Sequence, residues 1–544
     1  MARSSPTHQR NAREAAAAPR HRMDAARRAH VDGPARLARH AREVSDKLAC
    51  VDLGSGRQLT YAELDVWVAR CAAWLEAALG DPAGERVATL ARNSVDVLAV
   101  QLACARVGAI FQPLNWRLPG AELAVLVEDA GPRLLLYDHE FAGAFPALAR
   151  CATLEKVAFD DGPDGFLARV AAAPSRPIRA SPGADDAPAT LLYTSGTTGR
   201  PKGAMISEAN ARACAENFSA VGRVGPDAVF LCDAPMFHTV GLYAICRTTL
   251  HVGATLLISP RFEPGETLRR LSDPGLGITH YFCVPQMAQM IRQEPDFSPV
   301  GLRRLTALCT GGAPIPAAVI HRWVDDGVML IDGYGMTECG TVLGMPVGDL
   351  AVVRAKAGSA GRPAPGVSVR LVAPDGRDVA DGEIGELWLK GENITAGYWA
   401  RPEASAEAFR DGWLKTGDAA RRDPDGFYYL VDRWKDMFIS GGENVYPAEV
   451  EAAILEMEGV SEVAVVGAPD ERWGECGVAY VVPAPGARMS AEAVLAHCRT
   501  RLAGYKRPRC VEIEAALPRT GSGKVRKDVL RVRAASEHTP SAPV

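Results

Sequence analysis

The chain has 544 residues, 47% hydrophobic and 23% charged, and 61 Lys+Arg against 65 Asp+Glu leave a formal net charge of −4. This ordinary globular balance argues against a general nucleic-acid binder. No uninterrupted apolar run approaches the roughly 18 residues of a membrane span, and the length suits two to four units of about 150 residues.

The first 22 residues are rich in Arg and Ala and lack the apolar core of a secretory signal. They read as a disordered extension (residues 1–30), with a transit peptide as the minor alternative and Met23 as a second candidate start. From about Arg36 the pattern is helical, and Glu63–Leu79 carries apolar residues at helical spacing. Strand, helix and strand character follow through Glu85–Asn115, which indicates an α/β sheet domain. Residues 160–188 are dense in Pro, Gly, Ala and Asp and read as a surface linker. Alternation resumes from Ala189: THYFCVPQMAQMI is a strand entering a helix, LTALCTGGAP a strand ending in a Gly-Gly turn, and PAAVIHRWVDDG a helix with Pro at its start and Gly past its end. From Gly358 to about Leu430 short β runs alternate with Asp-Gly turns. After VDRWKDMF the order is helix, strand, strand, helix, strand, enough for a small α+β domain.

The 13 cysteines form no CxxC pair and no zinc spacing. Cys214, Cys232, Cys246, Cys283 and Cys309 sit mostly in apolar surroundings, as small buried hydrophobes do. This usage predicts a reducing, cytoplasmic setting. The terminal SAPV is not a peroxisomal signal.

Two stretches suggest phosphate chemistry. LLYTSGTTGRPKG (Leu191–Gly203) packs hydroxyls, glycines and Lys202 behind an apolar strand-like run. Glycine lets the backbone approach an anion, exposed N–H groups make a nest, and lysine adds a point charge. LPRTGSGKVRK (Leu517–Lys527) looks at first like a P-loop. The spacing fails, because Pro518 stands at the first glycine position and Val525 where Ser or Thr should hold Mg²⁺. Taken alone it reads as a basic tail.

YTSGTTGRPKG resembles the phosphate-loop signature of the adenylate-forming superfamily, which includes acyl- and aryl-CoA synthetases, luciferases and peptide-synthetase adenylation domains. TGGAP (Thr310–Pro314), GYGMTE (Gly333–Glu338), TGD (Thr416–Asp418), DRWKDMFISGGENVYPAEVE (Asp432–Glu451) and PRTGSGK follow in the expected order, so the resemblance spans about residues 30 to 535. It implies an α/β fold with a large N-terminal domain of mixed sheets and helices plus a β-rich subdomain (31–432), a hinge (433–436) at Lys435, a small mobile α+β C-terminal domain (437–535) and a tail (536–544).

The resemblance also implies roles. Thr194, Ser195, Gly196, Thr197, Thr198, Gly199 and Lys202 would contact ATP phosphates. Tyr334 would stack on adenine, flanked by Gly312 and Ala313. Thr337 would bond a phosphate, and Glu338, with Thr194, would hold Mg²⁺. Asp418 would take the ribose hydroxyls, and Arg433 would be a second ribose or phosphate contact, with a surface ion pair as the alternative. Lys524, carried by the small domain, would lower the repulsion between the attacking carboxylate and the α-phosphate. His238 in PMFHTVGL would sit near the activated carboxyl, with a satisfied core histidine as the alternative. Gly441, Gly442, Trp473, Tyr505 and Arg507 match places where relatives hold coenzyme A, although Trp473 as a packing residue and the basic pair as a solvated helix end are strong alternatives.

The expected activity is a two-step, AMP-forming acid–CoA ligase using ATP, Mg²⁺ and coenzyme A. Phe237-His238 stands where amino-acid-activating relatives carry an aspartate, which argues against amino acids. The apolar pocket segments rank a medium- or long-chain fatty acid first, as in lipid metabolism, with an aryl or alicyclic acid close behind. An acyl-AMP ligase with a non-CoA acceptor is the remaining alternative. Partners are small molecules, with room for peripheral membrane contact and a homodimer.

Overall fold

The computed structural model describes residues 33–150, 154–160, 162–175, 184–194, 201–313, 315–433, 436–441, 443–470, 472–519 and 525–538. Contacts divide the chain into two units: residues 1–368 with 389–414, and residues 369–388 with 415–544.

The first unit contains two sheets. Five strands of the six-stranded sheet are parallel, in the order Glu155–Ala158, Leu134–Tyr137, Arg86–Leu90, Ile110–Pro113 and Pro188–Thr194; Lys202–Ser207 closes the edge antiparallel. The nine-stranded sheet has a parallel centre, Leu330–Met336, Ala307–Thr310, His280–Cys283, Val229–Cys232, Thr255–Ile258 and Leu48–Asp52. Its edges are antiparallel, with Gly340–Gly344 and then Arg362–Pro363 beyond one end and Gln58–Thr60 beyond the other. Runs such as LLLY and HYFC are almost wholly buried, as parallel strands covered on both faces require.

Helix boundaries follow local chemistry. Tyr61–Leu79 starts at a capping box, in which the Thr60 hydroxyl accepts from the Glu63 N–H and the Glu63 carboxylate accepts from the Thr60 N–H. Val95–Val107 begins under the Ser94 side chain and stops at Gly108 in the left-handed region. One expectation fails. The stretch 160–188 is not all linker, because Phe166–Ala172 is helical with Phe166 and Val170 fully buried. That i, i+4 apolar pair, with Phe166 edge-on to Trp74 at 5.3 Å, outweighs the Pro/Gly-rich surroundings.

The second unit takes residues 415–422 of the strand Trp413–Arg422, which pairs antiparallel with Tyr428–Arg433. It also holds a five-stranded sheet from Phe438–Ser440, Glu443–Val445, Val460–Asp470, Gly474–Pro483 and Cys510–Ile513, flanked by helices Pro447–Leu455, Ala491–Arg501 and Lys527–His538. The last helix and the short pair Phe438–Ser440/Glu443–Val445 were not foreseen.

The described residues contain no helix long and apolar enough to cross a membrane. Their twelve cysteines are unbridged, and eleven are buried.

Candidate active site

The phosphate-loop stretch joins two paired strands, Pro188–Thr194 and Lys202–Ser207, in register Thr194↔Lys202. Ser195, Gly196, Thr197, Thr198 and Gly199 lie outside the described residues. Gly203 lies in close approach to the neighbouring strand: a Cβ there would lie 3.1 Å from the Tyr193 ring, a tight contact. The outer side of Lys202–Ser207 receives the segment Gly397–Trp399. Met205 N–H donates to the Gly397 carbonyl at 3.0 Å and Trp399 N–H to the Gly203 carbonyl at 2.8 Å. This pairing brings Tyr398, absent from the sequence reading, beside Lys202, whose Nζ is 5.2 Å from the Tyr398 ring centroid, within cation–π range.

GYGMTE occupies a tight hairpin between Leu330–Met336 and Gly340–Gly344, with Met336 opposite Gly340. A Cβ on Gly335 would stand 2.1 Å from the Gly340 carbonyl oxygen, so the strands close only with glycine there. Thr337 and Glu338 sit at the tip. Glu338 is 5% exposed, and its Oε1 accepts from the Tyr398 hydroxyl at 2.8 Å. Its carbonyl accepts from Thr395 N–H at 2.8 Å, while Asn393 donates to the Cys339 carbonyl at 2.7 Å. Lys202, Tyr398 and Glu338 therefore form one connected group. Tyr334 is half-buried, as an open stacking face needs. Just before it, Asp332 is 8% exposed, and burial pushes its carboxyl well above the usual range. Gly311 and Gly312 end the neighbouring strand. A Cβ on Gly311 would lie 2.9 Å from the Gly333 carbonyl, Gly312 has φ +81°, and Ala313 is exposed.

His238 is half-buried, with its ring 4.7 Å from that of Phe237. Its segment is clamped by residues the motif reading passed over. Asn93 donates to the carbonyls of Ala234 and Ser259 and accepts from Met236 N–H at 2.9 Å. Asp233 is 1% exposed and accepts from Thr267 at 2.6 Å and from Tyr281 at 2.9 Å; burial raises its pKa to about 6 against those bonds. After His238 the chain enters a π-helical stretch, Val240–Arg247, in which a Cβ on Gly241 would be 2.3 Å from the Pro235 carbonyl oxygen.

In the second unit, Asp418 and Arg433 face each other across paired strands. Arg433 Nε lies 2.8 Å from Asp418 Oδ1, with side-chain exposures of 42% and 9%. The Thr416 hydroxyl braces the turn, accepting from Asp418 N–H at 3.0 Å and donating to the Leu387 carbonyl at 2.7 Å. Gly441 has φ +63°, and a Cβ there would strike the Trp473 ring at 2.7 Å. Trp473 is half-buried between Arg472 and Arg509, whose guanidinium carbons lie 4.9 and 5.5 Å from its centroid. Tyr505 is exposed, whereas Arg507 donates to the Leu502 and Arg499 carbonyls, capping the helix before it. Lys435, Gly442 and Lys524 lie outside the described residues.

Magnesium favours hard oxygen ligands, usually one or two carboxylates completed by water and substrate phosphates. The buried Glu338 carboxylate near the Lys202 end of the phosphate hairpin fits that donor set.

The family model for AMP-binding enzymes matches residues 37–399, and the model for the AMP-binding enzyme C-terminal domain matches residues 449–524. The chain belongs to the AMP-binding enzyme family. It is similar to a feruloyl-CoA synthase of Amycolatopsis sp, 44% identical over 483 residues that cover 88% of this chain and 94% of that one. An indoleacetate–CoA ligase of Aromatoleum aromaticum is 38% identical over 87% of this chain and 93% of its own. The long-chain-fatty-acid–CoA ligase FadD13 of Mycobacterium tuberculosis is 36% identical over 91% and 97%. Among solved structures, ATP-bound MatB from Rhodopseudomonas palustris superposes with a TM-score of 0.84 at 33% identity, covering 93% of this chain and 100% of that one. MenE from Bacillus subtilis, in complex with ATP and magnesium ion, gives 0.80 at 30%, covering 92% and 98%. These relatives make the chain an enzyme of the AMP-forming acyl-CoA synthetase class, with the expected large and small α/β-containing domains.

Proposed function

We propose that this enzyme is an aryl acid–CoA ligase. The observation that carries the nucleotide chemistry is the connected group Lys202–Tyr398–Glu338 at the phosphate hairpin. In the first step a carboxylate oxygen of the acid attacks the α-phosphorus of ATP. The bond to pyrophosphate breaks, leaving acyl-AMP. Lys202 and the hydroxyls of the 194–199 stretch hold phosphate oxygens, and Thr337 bonds the α-phosphate. Glu338, with Thr194, would hold Mg²⁺, which supplies charge neutralisation to the phosphates. Tyr334, Gly312 and Ala313 line the adenine position, Asp418 and Arg433 take the ribose, and Lys524 bridges the two anionic reactants. In the second step the CoA thiol attacks the acyl carbon and AMP leaves. Gly441, Gly442, Trp473, Tyr505 and Arg507 serve this step, and Lys435 is the pivot between the two.

The order of substrate classes is reversed from the sequence reading. The feruloyl- and indoleacetate-activating relatives support an aryl acid at least as well as the fatty-acid relative supports a long chain. The buried Phe237 ring, packed 4.7 Å from the half-buried His238 ring, supports an aromatic substrate beside the carboxyl to be activated. The test is mass spectrometry of purified protein with MgATP, CoA and a panel of hydroxycinnamic, indoleacetic, alicyclic and fatty acids. Aryl-CoA with AMP is the expected product. Fatty acyl-CoA alone would overturn the substrate class, and acyl-AMP without any thioester would overturn the acceptor.

A further inference from the structure

Helix Gly120–Ala130 ends in Glu128 and Asp129, with no basic residue in its last turn. A helix C-terminus disfavours carboxylates, so local stability gives no reason for an aspartate there. Glu128 is exposed, whereas the Asp129 side chain is only 13% exposed. Its two oxygens are divided between two distant segments. Oδ2 accepts from the Tyr193 hydroxyl at 2.7 Å, and Oδ1 accepts from Arg401 Nη2.

These two segments flank the strand that carries Lys202. Tyr193 stands just before Thr194 on the inner strand, paired with Gly203 and lying against it. Burial, and then the charge of Asp129, push the Tyr193 phenol up, so it remains protonated and a donor. Arg401 ends the outer segment, which bridges antiparallel to the hairpin at Ala204↔Tyr398. Between Trp399 and Arg401 the chain turns at Ala400 with φ +49°, a left-handed conformation that a residue with a Cβ adopts at a cost. The same helix end also holds Trp399. Arg86 donates to the carbonyls of Ala130 and Gly131 at 2.9 Å each, and its guanidinium carbon is 5.7 Å from the Trp399 ring centroid. One helix end thus grips the inner strand through Tyr193 and the outer segment through Trp399 and Arg401.

Given the phosphate and magnesium roles proposed for Lys202 and Glu338, we infer that Asp129 is a positioning residue for adenylation. Its carboxylate fixes the outer segment against the strand of Lys202, and so sets where Tyr398 meets Lys202 and Glu338. The ionised carboxylate is required, because its two acceptor oxygens serve a hydroxyl and a guanidinium together. An amide in its place would turn an N–H donor toward one of them.

The test measures the two half-reactions separately in the full chain. Asp129→Asn and Asp129→Ala should raise KM for MgATP in pyrophosphate exchange about tenfold and move the Mg²⁺ requirement upward, while conversion of supplied acyl-AMP to acyl-CoA stays within about threefold of wild type. Arg401→Gln should act in the same direction, and Arg401→Lys, which keeps the charge, should recover most of the loss. If the Asp129 variants do not fold, Arg401→Gln, on a side chain 33% exposed, decides. Equal loss in both half-reactions, or a lowered Tm with unchanged KM, would overturn the inference, since Asp129 would then serve fold stability alone. Lys202→Met is the reference. A raised KM there with none in the Asp129 and Arg401 variants refutes the clamp, whereas an unchanged KM in Lys202→Met refutes the phosphate role itself and the clamp with it.

Discussion

The Tyr398 hydroxyl donates a 2.8 Å hydrogen bond to Oε1 of Glu338, and the ring of the same tyrosine lies 5.2 Å from the Lys202 ammonium. One side chain thereby contacts both the proposed metal ligand and the proposed phosphate-binding cation. Hydrogen bonds to charged groups are worth about 1.5–3 kcal/mol. Tyr398→Phe keeps the ring but loses this bond, and should lower kcat/KM for adenylation about tenfold while raising the Mg²⁺ concentration needed for half-maximal rate. Pyrophosphate exchange across a magnesium titration measures both. An unshifted magnesium dependence would assign Tyr398 a packing role only.

The half-reactions should separate at Lys524. Removing the cation proposed to bridge the two anions should reduce acyl-AMP formation at least a hundredfold, while conversion of supplied acyl-AMP to acyl-CoA stays within about threefold of wild type. Single-turnover assays of each step with Lys524→Ala test this. Equal loss of both would sink the division of labour.

Asp233 should make stability fall as the solution becomes less acidic. Its folded pKa of about 6 lies above the ordinary 3.8, so the folded state holds the proton more tightly than the unfolded chain. The stabilisation is complete below about pH 3.8 and is lost as pH rises through about 6, and the full difference corresponds to about 3 kcal/mol. Asp233→Asn has no such titration. Denaturation curves from pH 4.5 to 8 should therefore show wild type losing ground to the variant until about pH 7 and parallel behaviour beyond. Parallel curves throughout would contradict the burial argument.

In the second unit, Lys527 Nζ lies 2.7 Å from Glu451 Oε1, with side-chain exposures of only 19% and 18%. Burial wins for Glu451, whose pKa is raised; for Lys527 burial pulls the pKa down, but Glu451 and Asp432 together hold it above its ordinary value. Lys527→Met strands a buried carboxylate and should cost about 3–5 kcal/mol. Adding Glu451→Leu should restore at least half. Urea denaturation of the two single variants and the double provides the cycle, and additive losses would refute the coupling.

The alternation of apolar runs with turn residues was enough to place the α/β strands, because buried parallel strands are short and continuous in sequence. LTALCTGG and THYFC needed no tertiary knowledge. Phe166–Ala172 was hidden because its two anchoring side chains are few among prolines and glycines, and their burial depends on Trp74, far away in the chain. Tyr398, Asn93 and Asp233 escaped for a related reason. Asn93 holds the His238 segment from 143 positions away, and nothing local marks an asparagine or tyrosine for such a task. The acid's identity was least legible of all, since a pocket wall gathers single residues from many segments and each alone reads as core.

The strand pairing of Gly397–Trp399 against Lys202–Ser207 also sets a timetable. Thr395, next to that segment, donates to the Met205 carbonyl at 2.6 Å across 190 positions of chain. At about 5–20 residues per second, the outer edge of the phosphate hairpin waits on the order of 10–40 s during synthesis for its neighbour to emerge. Until then the nascent chain carries the Lys202 motif with an open strand edge and no Tyr398 to orient Glu338. On the roles proposed for Lys202 and Glu338, their group is incomplete until the first unit is almost wholly made, and the open edge is the place where a stalled or shortened chain would pair with other nascent copies.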